Sequence, residues 1–345
     1  MRKTGTAAFI LSAAFAAAAL APAPRAFAAE AVNIYTTRQE VLIRPLLDAF
    51  EKETGVRANV VFAREGLIER LESEGANSPA DVLLTADVSY LLQAEGKGLL
   101  QPVQSEVLEA AIPAQYRDPD DTWFALALRA RPIMYAKDRV KPEELSTYEA
   151  LADPKWKGRI CVRSSSHVYN QGLVASMIAA DGGEAVEEWA KGFAANLARP
   201  PAGGDRDQIK AVAAGECDIA IANSYYLAGM LKDTDDPSQA EAARKVAIFW
   251  PNQDGRGAHV NISGGGVTAS AQNRDNAVKL LEFLVSDEAQ RLYADAVNEY
   301  PVKPGIAPGE VVASFGTYKA DPLSLEEIGK HQAQAVDIMD AAGWQ

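Results

Sequence analysis

Two periods of apolar residues alternate along this chain, and the switches between them mark its elements. VNIYTTRQEVLIRPLLDAFEKETGVRANVVFA reads as strand, turn, helix and strand. Leu42, Ile43, Leu46, Leu47 and Phe50 recur at helical spacing, and Gly55 supplies the stop. ADVLLTADVSYLLQAEGKGLLQPV repeats the unit with Asp87 as N-cap. Alternating β and α units predict a mainly parallel sheet.

WFALALRARPIMYAKDRV predicts a long apolar strand interrupted by Arg129 and Arg131, a candidate for a crossing between two lobes. Alternation puts both arginines on one side of the strand. There they need partners, because an unpaired buried charge is very unfavourable. The other reading is a strand end whose arginine stems snorkel to water. The return crossing falls within KVAIFWPNQDGRGAHVNISGGGVTAS, and LSLEEIGKHQAQAVDIMDAAGW predicts a final amphipathic helix.

LADPKWKGRICVRSSSHVYNQGLVASMIAADGG is again strand, polar turn and helix, with Tyr169 near the helix start. In DIAIANSYYLAGML a buried strand over 218–222 runs into a helix, capped by Asn223 or Ser224. Tyr225 and Tyr226 therefore sit at a strand-to-helix junction. Adjacent helical side chains point about 100° apart, so both cannot enter one core face. In an open α/β sheet such junctions line the ligand crevice. Helix N-termini also favour negative charge, which helps a phenol to ionise. The alternative is one core tyrosine beside one surface tyrosine.

Composition and charge narrow the picture. The chain opens with Arg2 and Lys3, an apolar run over Phe9 to Leu20, and Ala26-Phe27-Ala28, the pattern of an export signal cleaved near Ala28. An anchoring helix is the other reading of this segment. Cleavage removes Arg2, Lys3 and Arg25 with no acid, moving the formal net charge from −13 to −16. That balance argues against nucleic acid or an anionic membrane as partner. The chain is 48% apolar overall, and the length that remains after cleavage suits two domains. No later stretch is long and apolar enough to span a bilayer. The two cysteines, Cys161 and Cys217, either pair in an oxidising compartment or remain buried thiols. Zinc-site and serine-hydrolase signatures are missing, and no nucleophile–base pair is visible.

Three tyrosines and several arginines thus converge on strand-to-helix edges. Phenolate is a hard oxygen donor suited to a highly charged cation such as ferric iron. A free phenol has a pKa of about 10, so its ionisation near neutrality requires a cation. Three phenolates neutralise Fe(III) and leave coordination positions for a dianion such as carbonate. Arg38 and Arg129 present the guanidinium fork that such an anion needs.

The chain resembles the periplasmic ferric-iron-binding proteins of bacterial ABC importers over essentially its whole mature length. The shared text includes IYTTRQ, LIRPLL, SPADVLLTADVS, RARPIMY, WKGRICVRSSS, NLARPPAGGDRDQIKAV, ANSYY, NISGGG and NEYPVKPGI. It looks most like the branch that holds iron by three tyrosines plus carbonate. The resemblance implies Tyr169, Tyr225 and Tyr226 as iron ligands, with Arg38, Gln39 and Arg129 around the anion. It implies a two-lobed, class II periplasmic-binding-protein fold with hinge strands and an interlobe cleft. The expected lobes are 29–130 with about 250–300, and 131–249 with about 301–345. A monomeric carrier without catalysis, serving an inner-membrane permease, follows. Related branches place a histidine ligand where this chain has Gln39-Glu40. Glu40 reads as a first-turn helix acid or a metal contact, His167 is a further candidate ligand, and Tyr35 reads as a packed strand residue. Two alternatives remain: an inorganic-anion carrier of the same fold, for phosphate or sulfate, and a secreted enzyme.

Overall fold

The computed structural model describes residues 30–345, so the expected export segment lies outside the described residues. The strands are β1 (Ala31–Thr36), β2 (Arg57–Phe62), β3 (Val82–Thr85), β4 (Phe124–Ala130), β5 (Ile133–Ala136), β6 (Ile160–Cys161), β7 (Ile219–Ile221), β8 (Val246–Phe249), β9 (Val260–Val267) and β10 (Tyr300–Pro301). They form a six-stranded sheet, ordered β10-β4-β9-β3-β1-β2, and a four-stranded sheet, ordered β6-β7-β5-β8. The helices of the first half are α1 (Glu40–Thr54), α2 (Leu67–Glu74), α3 (Val88–Gly96), α4 (Glu106–Ala111), α5 (Val168–Asp181) and α6 (Gly183–Ala195). They are followed by α7 (Asp205–Ala214), α8 (Ser224–Leu231), α9 (Pro237–Arg244), α10 (Arg274–Leu284), α11 (Asp287–Leu292), α12 (Glu310–Ala313) and α13 (Leu325–Ala341).

Pattern and structure agree in the first unit. The apolar stripe of α1 buries Ile43, Leu46, Leu47 and Phe50, and Gly55 ends the helix at φ 71°, a conformation that favours glycine. β1 pairs in parallel with β2 and β3, as β–α–β connections require. The sheet is mixed rather than mainly parallel, because β9 runs antiparallel to both β3 and β4. Gly264–Gly266 of β9 sit where a side chain has no room. A Cβ at Gly265 would lie 2.5 Å from Leu84, and one at Gly266 would lie 2.5 Å from the Thr122 carbonyl.

The arginine-bearing segment makes a crossing. β4 ends at Ala130 in one sheet and β5 begins at Ile133 in the other, so Arg131-Pro132 is the whole link. Arg129 and Arg131 are only 2% and 1% exposed, which excludes snorkelling. The chain returns between β8 and β9. Cys161 and Cys217 are joined, with Cα atoms 5.9 Å apart, because the parallel pairing of β6 with β7 brings them together. α13 packs along α5 and α6, and Trp344 beyond it lies tilted against Phe193 and donates to the Arg163 carbonyl. Among the described residues no helix is long and apolar enough to cross a membrane.

Candidate metal centre

Four strand-to-helix junctions face one cleft, where open α/β sheets place their ligands. From the six-stranded sheet, β1 leads through Thr37–Gln39 into α1, and β3 leads through Ala86-Asp87 into α3. From the four-stranded sheet, β6 leads to Tyr169 in the first turn of α5, and β7 leads to Tyr225 and Tyr226 in the first turn of α8. Two hollows of about 450 and 380 Å³ share Thr37, Gln39, Ala86, Tyr169 and Tyr226 in their walls. A larger hollow of about 800 Å³, between α3, α5 and α13, contains none of the expected site residues.

The three phenols meet. The Tyr169 and Tyr225 hydroxyls are 3.2 Å apart, and the Tyr225 and Tyr226 rings are tilted against each other at 4.2 Å. All three are half-buried and open to the cleft, so the reading of one core and one surface tyrosine does not describe the pair. Burial pushes the Tyr225 phenol well above its ordinary pKa, and the neighbouring Tyr169 and Tyr226 add to this. Burial likewise raises Tyr226, with Tyr169 and Asp205 adding to it. Without a cation these two phenols keep their protons.

The opposite wall is charged. Arg129 has its guanidinium carbon 4.8 Å from the Tyr169 ring centre and 5.9 Å from that of Tyr225. It donates to the Ile262 carbonyl at 3.2 Å and lies 3.6 Å from Asp87 Oδ2. Burial works against the Arg129 charge, but Tyr169, Tyr225, Glu299 and Asp87 outweigh it, and its pKa rises. Asp87 caps α3 as expected, accepting from the Ser89 N–H at 3.0 Å through Oδ1, while its buried Oδ2 has no hydrogen-bond partner. Burial raises the Asp87 pKa against the pull of Arg129. Arg38 departs from expectation. Its fork is closed on Glu299, at 3.1 and 3.2 Å, and it also donates to Ser263. Gln39 is exposed at the mouth, ahead of α1.

The remaining candidates separate. Glu40 pairs with Arg44 at 2.7 Å on the exposed face of α1, in its role as a first-turn acid. Tyr35 is buried and donates to Glu74. His167 caps α5, its Nδ1 accepting from the Tyr169 N–H at 3.3 Å, and its ring meets Tyr169 edge-on. Burial, then Arg163, hold its pKa down to about 3, so the imidazole is neutral. Asn223 stands at the N-cap of α8, but its side chain accepts from Arg131 instead of capping the helix. Among the described residues no group of three or more histidine, cysteine or acidic side chains could hold a metal ion.

Sequence reasoning missed Asp87 as a cleft residue, Glu299 as the partner of Arg38, and Asp205 beneath the tyrosines. Asp87 carried a usable signal, since it occupies the same kind of junction as Tyr225. Glu299 and Asp205 carried none, because their partners are distant in the chain.

Residues 77–315 match the family described as bacterial extracellular solute-binding protein. Iron uptake protein A1 of Synechocystis sp. is 52% identical over 315 residues, covering 91% of this chain and 87% of that protein. The solved structure of Trichodesmium IdiA (FutA) in complex with iron and citrate superposes with a TM-score of 0.87 at 50% identity, covering 91% of this chain and 100% of the other. Apo ferric ion-binding protein A of Pasteurella haemolytica gives 0.87 at 46% identity, covering 92% of this chain and 98% of the other. With its two sheets, the chain crossings between them and a cleft lined by strand-to-helix junctions, the chain has the periplasmic-binding-protein fold and belongs to the bacterial extracellular solute-binding proteins.

Proposed function

We propose that this chain is a periplasmic ferric-iron carrier that binds Fe(III) in the cleft through Tyr169, Tyr225 and Tyr226 and delivers it to an ABC-type permease. The observation that carries this reading is the meeting of three phenols, with two hydroxyls 3.2 Å apart. Phenols held above their ordinary pKa surrender protons to a highly charged hard cation and to little else. The relatives named for iron uptake and ferric binding support it. The protein acts as a carrier rather than a catalyst.

The lobes are read as 29–130 with about 250–300, and 131–249 with about 301–345. The division of strands between the two sheets supports these bounds. A synergistic carbonate is part of the reading. Because Glu299 occupies Arg38, Arg129 becomes the principal cation facing the anion, with Gln39 at its edge. Bare phosphate or sulfate fits poorly, since Asp87 and Glu299 place acceptors where such an anion needs donors.

The test is ferric titration of purified protein, with and without bicarbonate, followed by the visible iron–tyrosinate band. Tyr225→Phe and Tyr226→Phe should each abolish tight binding and colour while leaving the fold intact, because phenyl and phenol have nearly the same shape. Wild-type affinity in both variants sinks the ligand assignment. Identical binding in degassed, bicarbonate-free buffer removes the carbonate and leaves the tyrosines. A melting-temperature rise with phosphate alone would favour the anion carrier.

A further inference from the structure

We infer that Arg131, buried behind the tyrosine-bearing junctions and lining neither hollow of the cleft, is the positioning residue that sets the spacing between those two junctions. The inference rests on the ferric reading.

Arg131 lies in the two-residue link between β4 and β5 and is almost wholly buried. Its Nη1 donates to Asp205 Oδ2 and to Asn223 Oδ1, both at 3.0 Å. Its Nη2 donates to Asn170 Oδ1 at 2.6 Å. Asn170 directly follows Tyr169, and Asn223 lies two residues before Tyr225. One planar group therefore holds a neighbour of a phenol on each junction. A guanidinium is a rigid fork, so the separation of those neighbours is fixed by covalent geometry rather than by packing.

Asp205 makes the hub stiffer. It accepts from the Asn223 N–H at 2.8 Å and from Arg163 at 3.1 Å, and Arg163 belongs to the turn ahead of α5. Burial alone would raise the Asp205 pKa, but Arg131 and Arg163 outweigh it, so the carboxylate stays ionised. Asn170 also donates to the carbonyls of Arg163 and Ser164, fastening that turn to the helix carrying Tyr169. The Arg131 guanidinium carbon is 5.7 Å from the Tyr169 ring centre, in the layer beneath the phenols.

Stability alone does not account for this hub. Buried ion pairs replaced by well-packed apolar groups are often neutral or stabilising. A charged cluster joined by several hydrogen bonds supplies instead a fixed direction for each attached side chain. Metal ligation needs that here, because the oxygens of Tyr169 and Tyr225 must approach one ion from separate helices.

The experiment compares Arg131→Lys, Asn223→Ala and Tyr225→Phe with Val186→Ala, a buried α6 residue remote from both junctions. Apo melting temperature, ferric affinity by chelator competition and the position of the visible band are read for each. Lysine keeps the charge opposite Asp205 but cannot hold both asparagines. The expected result is a tenfold or greater loss of affinity and a displaced band in Arg131→Lys and Asn223→Ala, with Val186→Ala lowering only the melting temperature. The Asn223→Ala loss should shrink when made in the Arg131→Lys background, because both act through one contact. If Arg131→Lys does not fold, Asn223→Ala decides alone, since the backbone bond of residue 223 to Asp205 survives that change. Lower melting temperatures with wild-type affinity and band in both variants overturn the assignment. Tyr225→Phe separates the two ideas: full colour there overturns the ferric reading and this assignment with it, whereas lost colour there beside unchanged Arg131→Lys and Asn223→Ala overturns the assignment alone.

Discussion

Ferric binding at this site should release protons, and the ligand set fixes how many. Each phenol that becomes a ligand gives up its hydrogen. For an ordinary phenol with a pKa of about 10, that costs about 4 kcal/mol at pH 7, and three cost about 12. Burial makes Tyr225 and Tyr226 more expensive still, so the metal must overcome a larger barrier at those two. The sign follows directly. Phenols raised above their ordinary values stay protonated in the iron-free protein, so affinity climbs with pH and falls on acidification. Three ligands give a slope approaching three decades of affinity per pH unit near neutrality. The assay is isothermal titration with a ferric chelate of known proton stoichiometry, in buffers of different ionisation enthalpy. Comparison with the residual binding of Tyr169→Phe cancels the chelator's own protons, and the variant should release one fewer. A release below one proton, or the same number in both proteins, would show that the phenols are not the ligands.

Three further outcomes can be checked. Tyr169→Phe should weaken ferric binding about as much as the Tyr225 change, whereas Tyr35→Phe should not, because the Tyr35 hydroxyl is spent on Glu74; equal losses would bring a first-sheet phenol into the site. His167 and His259 are both held down to about 3, by burial first. Below the unfolded value of about 6.5 the unfolded chain takes up protons that the folded chain refuses, so stability is full above that pH and is lost as pH falls toward 3. The slope is at most roughly 2.7 kcal/mol per pH unit, and less where partly exposed His167 is screened by water. Urea midpoints across pH 7 to 4 should show it, and a slope unaltered in His259→Gln contradicts it. Cys161→Ser with Cys217→Ser opens a cross-link between residues 56 apart, worth about 4 kcal/mol by chain entropy. Melting curves should show the loss, and an unchanged transition would mean that the reduced chain is already constrained there.

The elements were legible where they depend on neighbours in sequence. The stripe of α1, its glycine stop and the Asp87 cap are all decided within one or two turns. The crossing at 129–131 was legible because an apolar run continued through two charges that had to be buried or had to end the strand. The antiparallel seat of β9 was not. It depends on contacts with residues near 82 and 124, and the three glycines announce a close approach without naming what approaches. The cysteine pairing stayed open for the same reason, since β6 and β7 become neighbours only through the fold.

The site divides along the same line. Tyr169, Tyr225 and Tyr226 were legible because each stands at a strand-to-helix switch and because the surrounding text resembles a known family. Arg38 was legible as a cleft residue but its pairing with Glu299 was not, because Glu299 lies 261 residues away. That pairing changes how the cleft is assembled. All three phenols hang from the four-stranded sheet, while Arg38, Gln39, Arg129 and Asp87 hang from the six-stranded sheet. On the ferric reading, one layer carries the entire neutralising donor set and the other carries the anion wall. An ion can then be held by one layer before the cleft shuts. Arg129 already packs on the Tyr169 and Tyr225 rings, so on that reading an anion paired with it would supply the remaining donor oxygens. The Arg38–Glu299 pair contributes no net charge to that wall, so it shapes the cleft without competing with the metal. Arg129 is the arginine of the six-stranded sheet that packs on the phenol rings, while Arg163 also meets Tyr169 and Arg206 lines the same hollow as Tyr225.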